Sequence, residues 1–104
     1  MTQTPHTAYR HDALVTTDRP ARWAKQLASH LGRKMGHEET DRGPRLTMHH
    51  EAGDATCLLD TSDDARLGLH VESTSAEAAE RLAHVVGSHL ERFGEKDGLT
   101  VRWG

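Results

Sequence analysis

The sequence predicts an α+β fold, an antiparallel sheet of about five strands with two helices packed on one face. Two segments repeat apolar residues at helical spacing, around Leu27 and around Val86. Between and beside them lie short runs that alternate apolar and polar residues, each bounded by Gly, Asp or Ser. Strands joined by such tight turns pair antiparallel, and two amphipathic helices need an apolar layer to cover. The expected order is β-α-β-β-β(-β)-α-β.

Residues 1–10 mix Thr, Gln, Pro and His without periodicity and read as a flexible leader, leaving 11–104 as a single α+β domain. From His11 to Thr17, Ala13 and Val15 alternate with Leu14 and Thr16, a first strand. Asp18 then stands where a side chain can cap a helix, and Pro20 suits the first turn. Ala24, Leu27, Ala28, Leu31 and Met35 keep helical spacing up to Gly36, so the first helix is expected over roughly residues 19–35.

A short strand is expected over His37 to Thr40, before the turn Asp41-Arg42-Gly43-Pro44. Next, Leu46, Met48 and His50 face one way, against Arg45, Thr47 and His49. After a turn at Gly53-Asp54, Ala55, Cys57 and Leu59 alternate with Thr56 and Leu58. Past Ser62-Asp63-Asp64, Leu67, Leu69 and Val71 point inward, against Arg66, Gly68, His70 and Glu72. Thr74 followed by Glu77 has the form of a capping box, and Ala79, Leu82, Ala83, Val86, Leu90 and Phe93 carry the second helix to Gly94. Lys96-Asp97-Gly98 turns into Leu99, Val101 and Trp103, which alternate as a last strand. Gly32 and Gly87 would let backbones approach closely.

The chain has 104 residues, the size of one domain. Its net charge is −3, with acids and bases interspersed and no basic block, which argues against nucleic acid as a partner. One cysteine cannot form an internal disulfide, no signal-peptide pattern opens the chain, and no apolar run could span a bilayer. A cytoplasmic location and no membrane partner are expected. Ile and Asn are absent and Arg outnumbers Lys ten to three, the usage of a GC-rich bacterial gene.

Asp18-Arg19-Pro20-Ala21-Arg22-Trp23-Ala24-Lys25-Gln26-Leu27 running into Ser29-His30-Leu31-Gly32, and His89-Leu90-Glu91-Arg92-Phe93 running to Trp103, resemble a short bacterial family called domain of unknown function 2218. Gly53 and Cys57 to Leu59 also sit where that family carries a glycine-then-cysteine strand. The likeness extends from about Thr16 to Trp103. Its members are typically encoded beside, or fused to, siderophore-interacting flavin reductases, so the resemblance implies an accessory or binding role in iron or siderophore utilisation, with such a reductase or a siderophore as partner. The family pattern has a second histidine in a His-x-Gly-His-Lys run; here Arg33 takes that place and Lys34 is kept.

Nine histidines make imidazole chemistry the first question. His89 lies seven residues after Leu82 and four before Phe93, on the buried side of the second helix, where it is a hydrogen-bonded core residue or else a ligand or acid–base group. His30 lies on the flank of the first helix with Trp23 and is expected to pack on it. Together His30 and His89 are the candidate metal ligands. Neither His-x-x-x-His nor Cys-x-x-Cys occurs, so a zinc centre has little support. On the sheet, His49, Arg66, His70 and Arg102 are expected on one polar face that could hold an anionic catecholate or carboxylate ligand. Arg92, part of the family resemblance, is a candidate for an ion pair or ligand contact.

Cys57 reads as a buried small apolar side chain. The chain has no phosphate loop, no Gly-x-Ser-x-Gly elbow and no paired acids, so the expectation is a non-catalytic protein without an assignable cofactor. The alternatives are a homodimeric interaction module pairing through the last strand, and a histidine-based metal-binding protein.

Overall fold

The computed structural model describes residues 9–104. The expected leader lies outside the described residues except for Tyr9 and Arg10, which already belong to the first strand. The elements in chain order are β1 (Tyr9–Thr16), α1 (Pro20–Leu31), β2 (Gly36–Thr40), β3 (Gly43–His50), β4 (Gly53–Asp63), β5 (Arg66–Ser73) and α2 (Ala76–Phe93), followed by one 3₁₀ turn, Glu95–Asp97. The five strands form one antiparallel sheet, as the patterning predicts, and their order across it is β1-β5-β4-β3-β2. Both helices lie on one face: α1 over β3 to β5, α2 over β4, β5 and β1.

Alternation sets which side chains enter the interior. Val15, Leu46, Cys57, Leu59, Leu67, Leu69 and Val71 rise from the sheet and are fully buried, and Leu27, Leu82, Val86 and Leu90 descend on them from the helices. Val101 and Trp103 pack at the margin of this core. Burying such side chains stabilises by roughly 1.5–3 kcal/mol each, and it orients the opposite face of every strand toward the helix-free side.

Two hairpins need glycine. Gly43 and Gly53 begin β3 and β4 at φ of 136° and 143°, so the turns are Asp41-Arg42 and Glu51-Ala52, earlier than the expected Gly53-Asp54. At Gly43 a Cβ would lie 2.1 Å from the Leu59 carbonyl oxygen, so no side chain fits.

Three local expectations are corrected. α1 ends at Leu31 rather than near Met35; the Lys34 and Met35 amides both donate back to the Leu31 carbonyl as the chain leaves the helix. Asp18 does not cap α1: its side chain is 94% exposed, and Oγ1 of Thr17 accepts the Arg19 amide instead. At α2 the cap is Ser75, one residue after Thr74, with its hydroxyl accepting the Ala78 amide.

The expected last strand is not formed. Leu99 to Gly104 makes a single ladder-like bond, from the Gly104 amide to the Asp12 carbonyl, while the Val101 amide donates to the Glu91 carboxylate on α2. The alternating apolar residues serve packing on α2 rather than pairing. At Gly87 a Cβ would sit 3.1 Å from Trp103 Nε1, so what approaches this glycine is the indole side chain rather than the backbone expected there. The strand expected to pair two copies is therefore absent.

Candidate functional site

Helix periodicity puts Arg22, Lys25, Ser29 and, just past the helix end, Arg33 along one side of α1. Beside them His30, in the last turn, reaches across to α2. Its ring centroid lies 5.2 Å from that of His89 and 5.3 Å from that of Phe93, with Phe93 edge-on at 85°. His89 and Phe93 are 6.1 Å apart, four residues on along the same helix. The three rings form a cluster across the α1–α2 seam, with distances and tilts in the favourable range for aromatic pairs.

His30 and His89 thus converge. The expected contact of His30 with Trp23 is replaced by this ring cluster, while Trp23 turns inward and its indole N–H bonds to Thr17 Oγ1 at 3.1 Å. His89 Nδ1 lies 2.7 Å from the Val85 carbonyl oxygen, one helical turn back. A carbonyl only accepts, so Nδ1 carries the proton and the ring is pinned against its own helix.

In front of the cluster opens a groove of about 410 Å³ lined by Arg22, Lys25, Ser29, His30, Arg33 and Phe93, with Gln26 beside them. No acidic residue lines it. Among the described residues Arg22, Lys25 and Arg33 form no ion pair, in a chain whose net charge is −3. Arg22 lies with its guanidinium carbon 5.8 Å from the Trp23 ring centroid, a cation–π distance. Uncompensated cations set around a ring cluster favour anions through charge-assisted hydrogen bonds. Sequence reading singled out His30 here but missed Arg22, Lys25 and Arg33; their helical spacing was the available signal.

As metal ligands, His30 and His89 have no third partner: among the described residues no group of three or more His, Cys, Asp or Glu could hold an ion. Zinc centres use three or four protein ligands.

The proposed polar sheet face is not one site. His49 bonds Asp54 at 3.0 Å beside the β3–β4 hairpin, whereas Arg66 bonds Asp63 at 3.1 Å beside the β4–β5 hairpin, at the opposite end of β4. Arg102 lies on the exposed closing segment and Arg92 on the exposed side of α2's last turn, where a cation suits the helix dipole. The reason is register: the hairpin connections put His49 and Arg66 at opposite ends of a strand of eleven residues, about 30 Å apart at roughly 3.3 Å per residue.

His70 alone lies mid-sheet, 2.7 Å from Asp12 and 3.5 Å from Asp60, in a hollow of about 290 Å³ that also includes Arg10, Arg42 and Arg45. Each arginine there is neutralised, Arg10 by Glu72 at 3.2 Å, Arg42 by Asp60 and Arg45 by Glu38. Burial raises the Asp60 carboxyl, but hydrogen bonds from Ser62 and Arg42 outweigh it and hold the group below its usual range. Asp12 follows the same balance: burial raises it, but hydrogen bonds from His70 and Arg10 outweigh this and hold it below its usual range. This is a self-satisfied charge network rather than an open anion site. Cys57 is fully buried, and burial pushes its thiol up to about 12, far from a reactive thiolate.

No described helix is long and apolar enough to cross a membrane. A family model described as an uncharacterised protein conserved in bacteria (DUF2218) matches residues 12–104. The NMR structure of PA4090 from Pseudomonas aeruginosa shares the fold, with a TM-score of 0.67 and 22% identity over 93% of this chain and 96% of that one. None of the curated proteins matches this chain.

Proposed function

The chain belongs to that bacterial family of uncharacterised proteins, DUF2218, and on this premise we propose that it is a non-catalytic accessory domain of iron or siderophore utilisation that binds an anionic ligand in the groove beside His30. On this reading Arg22, Lys25 and Arg33 meet the ligand's negative charge, His30 and Phe93 offer ring surfaces to an aromatic part, and His89 holds His30 in position. A catecholate or carboxylate siderophore has that chemistry, and a siderophore-interacting flavin reductase is the partner that would supply or take it.

One observation carries the reading: three cations without ion-pair partners among the described residues share a groove with His30 and Phe93, and no described carboxylate lines it. Neither of the alternatives has comparable support. The strand that would pair two copies is absent, and the two imidazoles find no third ligand among the described residues.

The test is a titration of the full chain with 2,3-dihydroxybenzoate, ferric citrate and inorganic phosphate, followed by thermal melting and amide NMR. The expected result is a rise in Tm with at least one organic anion, resonance changes at Ser29, His30 and Phe93, and weakening at high salt. Arg22→Glu with Arg33→Glu should abolish it while leaving the fold intact, since both side chains are exposed. Phosphate binding as tightly as the aromatic acid would remove the ring contribution from the proposal. No change with any of the three would end it.

A further inference from the structure

The adjacent flank of α1, beyond Lys25 and Ser29, faces the β2–β3 hairpin. There the small side chains of Ala21, Ala24 and Ala28 leave a cleft of about 600 Å³, larger than the groove beside His30 and well within the range of binding clefts. The hairpin forms the other wall, with Pro44 completing the apolar floor and Glu39 and Asp41 at the rim.

β2 is also the end of the sheet. It pairs with β3 on one side, and no described strand pairs with it on the other. An edge strand turns half of its backbone N–H and C=O groups outward, unpaired. A cleft between such an edge and a neighbouring helix is the setting in which domains take up an extended peptide as an added strand: backbone bonds give affinity, and alternate side chains enter the cleft.

Charge selects the occupant. Glu38 is held by Arg45, but Glu39 meets only His37, at 3.2 Å, and Asp41 has no ion-pair partner among the described residues. Pairing β2 of one copy with β2 of another would crowd these carboxylates together. A strand carrying Lys or Arg would neutralise them. Lys25 also lines the cleft, on its helix wall, so one cation there stands against the two carboxylates of the hairpin wall and the balance still favours a basic occupant.

We propose that the cleft between α1 and β2 docks an extended basic segment of a partner protein, which adds to β2 as a sixth strand, rests a small apolar side chain on the alanine floor and sets a Lys or Arg beside Glu39 and Asp41. The cleft shares Lys25 and Ser29 with the groove beside His30, while the added strand would rest on β2 and on Glu39 and Asp41, which that groove does not include.

The test uses two synthetic, terminally blocked seven-residue peptides, Val-Thr-Lys-Thr-Val-Thr-Lys and Val-Thr-Glu-Thr-Val-Thr-Glu, in which the apolar and charged side chains share one face of a strand, titrated into the ¹⁵N-labelled full chain. The basic peptide should shift the amide resonances of His37 to Asp41 and of Ala24 and Ala28, slow hydrogen exchange along β2, and bind roughly tenfold or more tightly than the acidic one. Glu39→Lys with Asp41→Lys, both at exposed positions, should remove that binding without lowering Tm. Absence of shifts at millimolar peptide, equal binding of the two peptides, or shifts confined to another surface would overturn the proposal. So would sedimentation showing a dimer that the two lysine substitutions dissociate, since the occupant would then be a second copy.

Discussion

Thr17 and Trp23 are joined by a buried hydrogen bond, the indole N–H donating to the threonine Oγ1 at 3.1 Å, and the same oxygen accepts the Arg19 amide. One hydroxyl thereby ties the end of β1 to the residue that precedes α1 and to the helix's first turn. Thr17→Val keeps the shape and orphans both donors. The expected cost is about 1–2 kcal/mol, read as a fall in Tm of roughly 5–12 °C for a domain of this size. An unchanged Tm would show that water replaces the hydroxyl.

The closing segment gives a second prediction. At Gly87 a Cβ would stand 3.1 Å from Trp103 Nε1, a contact that a small shift of a half-exposed indole relieves. Alanine gains about 1 kcal/mol of helix propensity, so Gly87→Ala should leave stability nearly unchanged. Gly87→Leu has no such room. It should expel Trp103, seen as a red shift in tryptophan emission and faster exchange of the Gly104 amide. Retention of the native emission by the leucine variant would contradict the packing described.

Cys57 should be silent in the native protein. Its thiol is buried and pushed up to about 12, so a disulfide reagent at pH 8 should react only as fast as the chain unfolds. Reaction should accelerate with denaturant along the unfolding transition. Rapid labelling in native buffer would refute the burial.

Acid should act through Asp12 and Asp60. Both carboxyls lie below their ordinary 3.8 in the folded chain, where burial raises them but hydrogen bonds to His70 and Arg10, or to Ser62 and Arg42, outweigh it. A lowered folded value means the contribution is fully present above about pH 4 and is lost as pH falls through the folded value. Stability should therefore decline with increasing acidity below about pH 4. Asp60→Asn, which keeps the shape but weakens the bonds from Arg42 and Ser62, should cost about 1.5–3 kcal/mol at pH 7 and flatten that acid slope. An unaltered slope would assign the acid sensitivity to other groups.

Much of this architecture is legible in the residues themselves. Leu67, Leu69 and Val71 announce an inward face by alternation, and Leu82, Val86 and Leu90 do so by helical spacing, because both periods are properties of the local backbone. Even the short β2 is visible. Local signals mislead where neighbouring residues could fill the same structural role. Ser75 rather than Thr74 caps α2, Thr17 rather than Asp18 serves α1, and Leu99, Val101 and Trp103 spend a strand-like alternation on packing against a helix.

The candidate groove shows the same division. The residues alone determined that His30 and His89 sit on helices that share a sheet, and that Cys57 is interior. Only the tertiary structure decided that the two imidazoles meet with Phe93 at the α1–α2 seam, that Arg22, Lys25 and Arg33 have no ion-pair partner there among the described residues, and that the sheet arginines are paired instead. Periodicity states which side of its own element a residue occupies. Which residue of another element it meets depends on how the chain crosses and in what register the strands pair, and those follow from burying every apolar face at once.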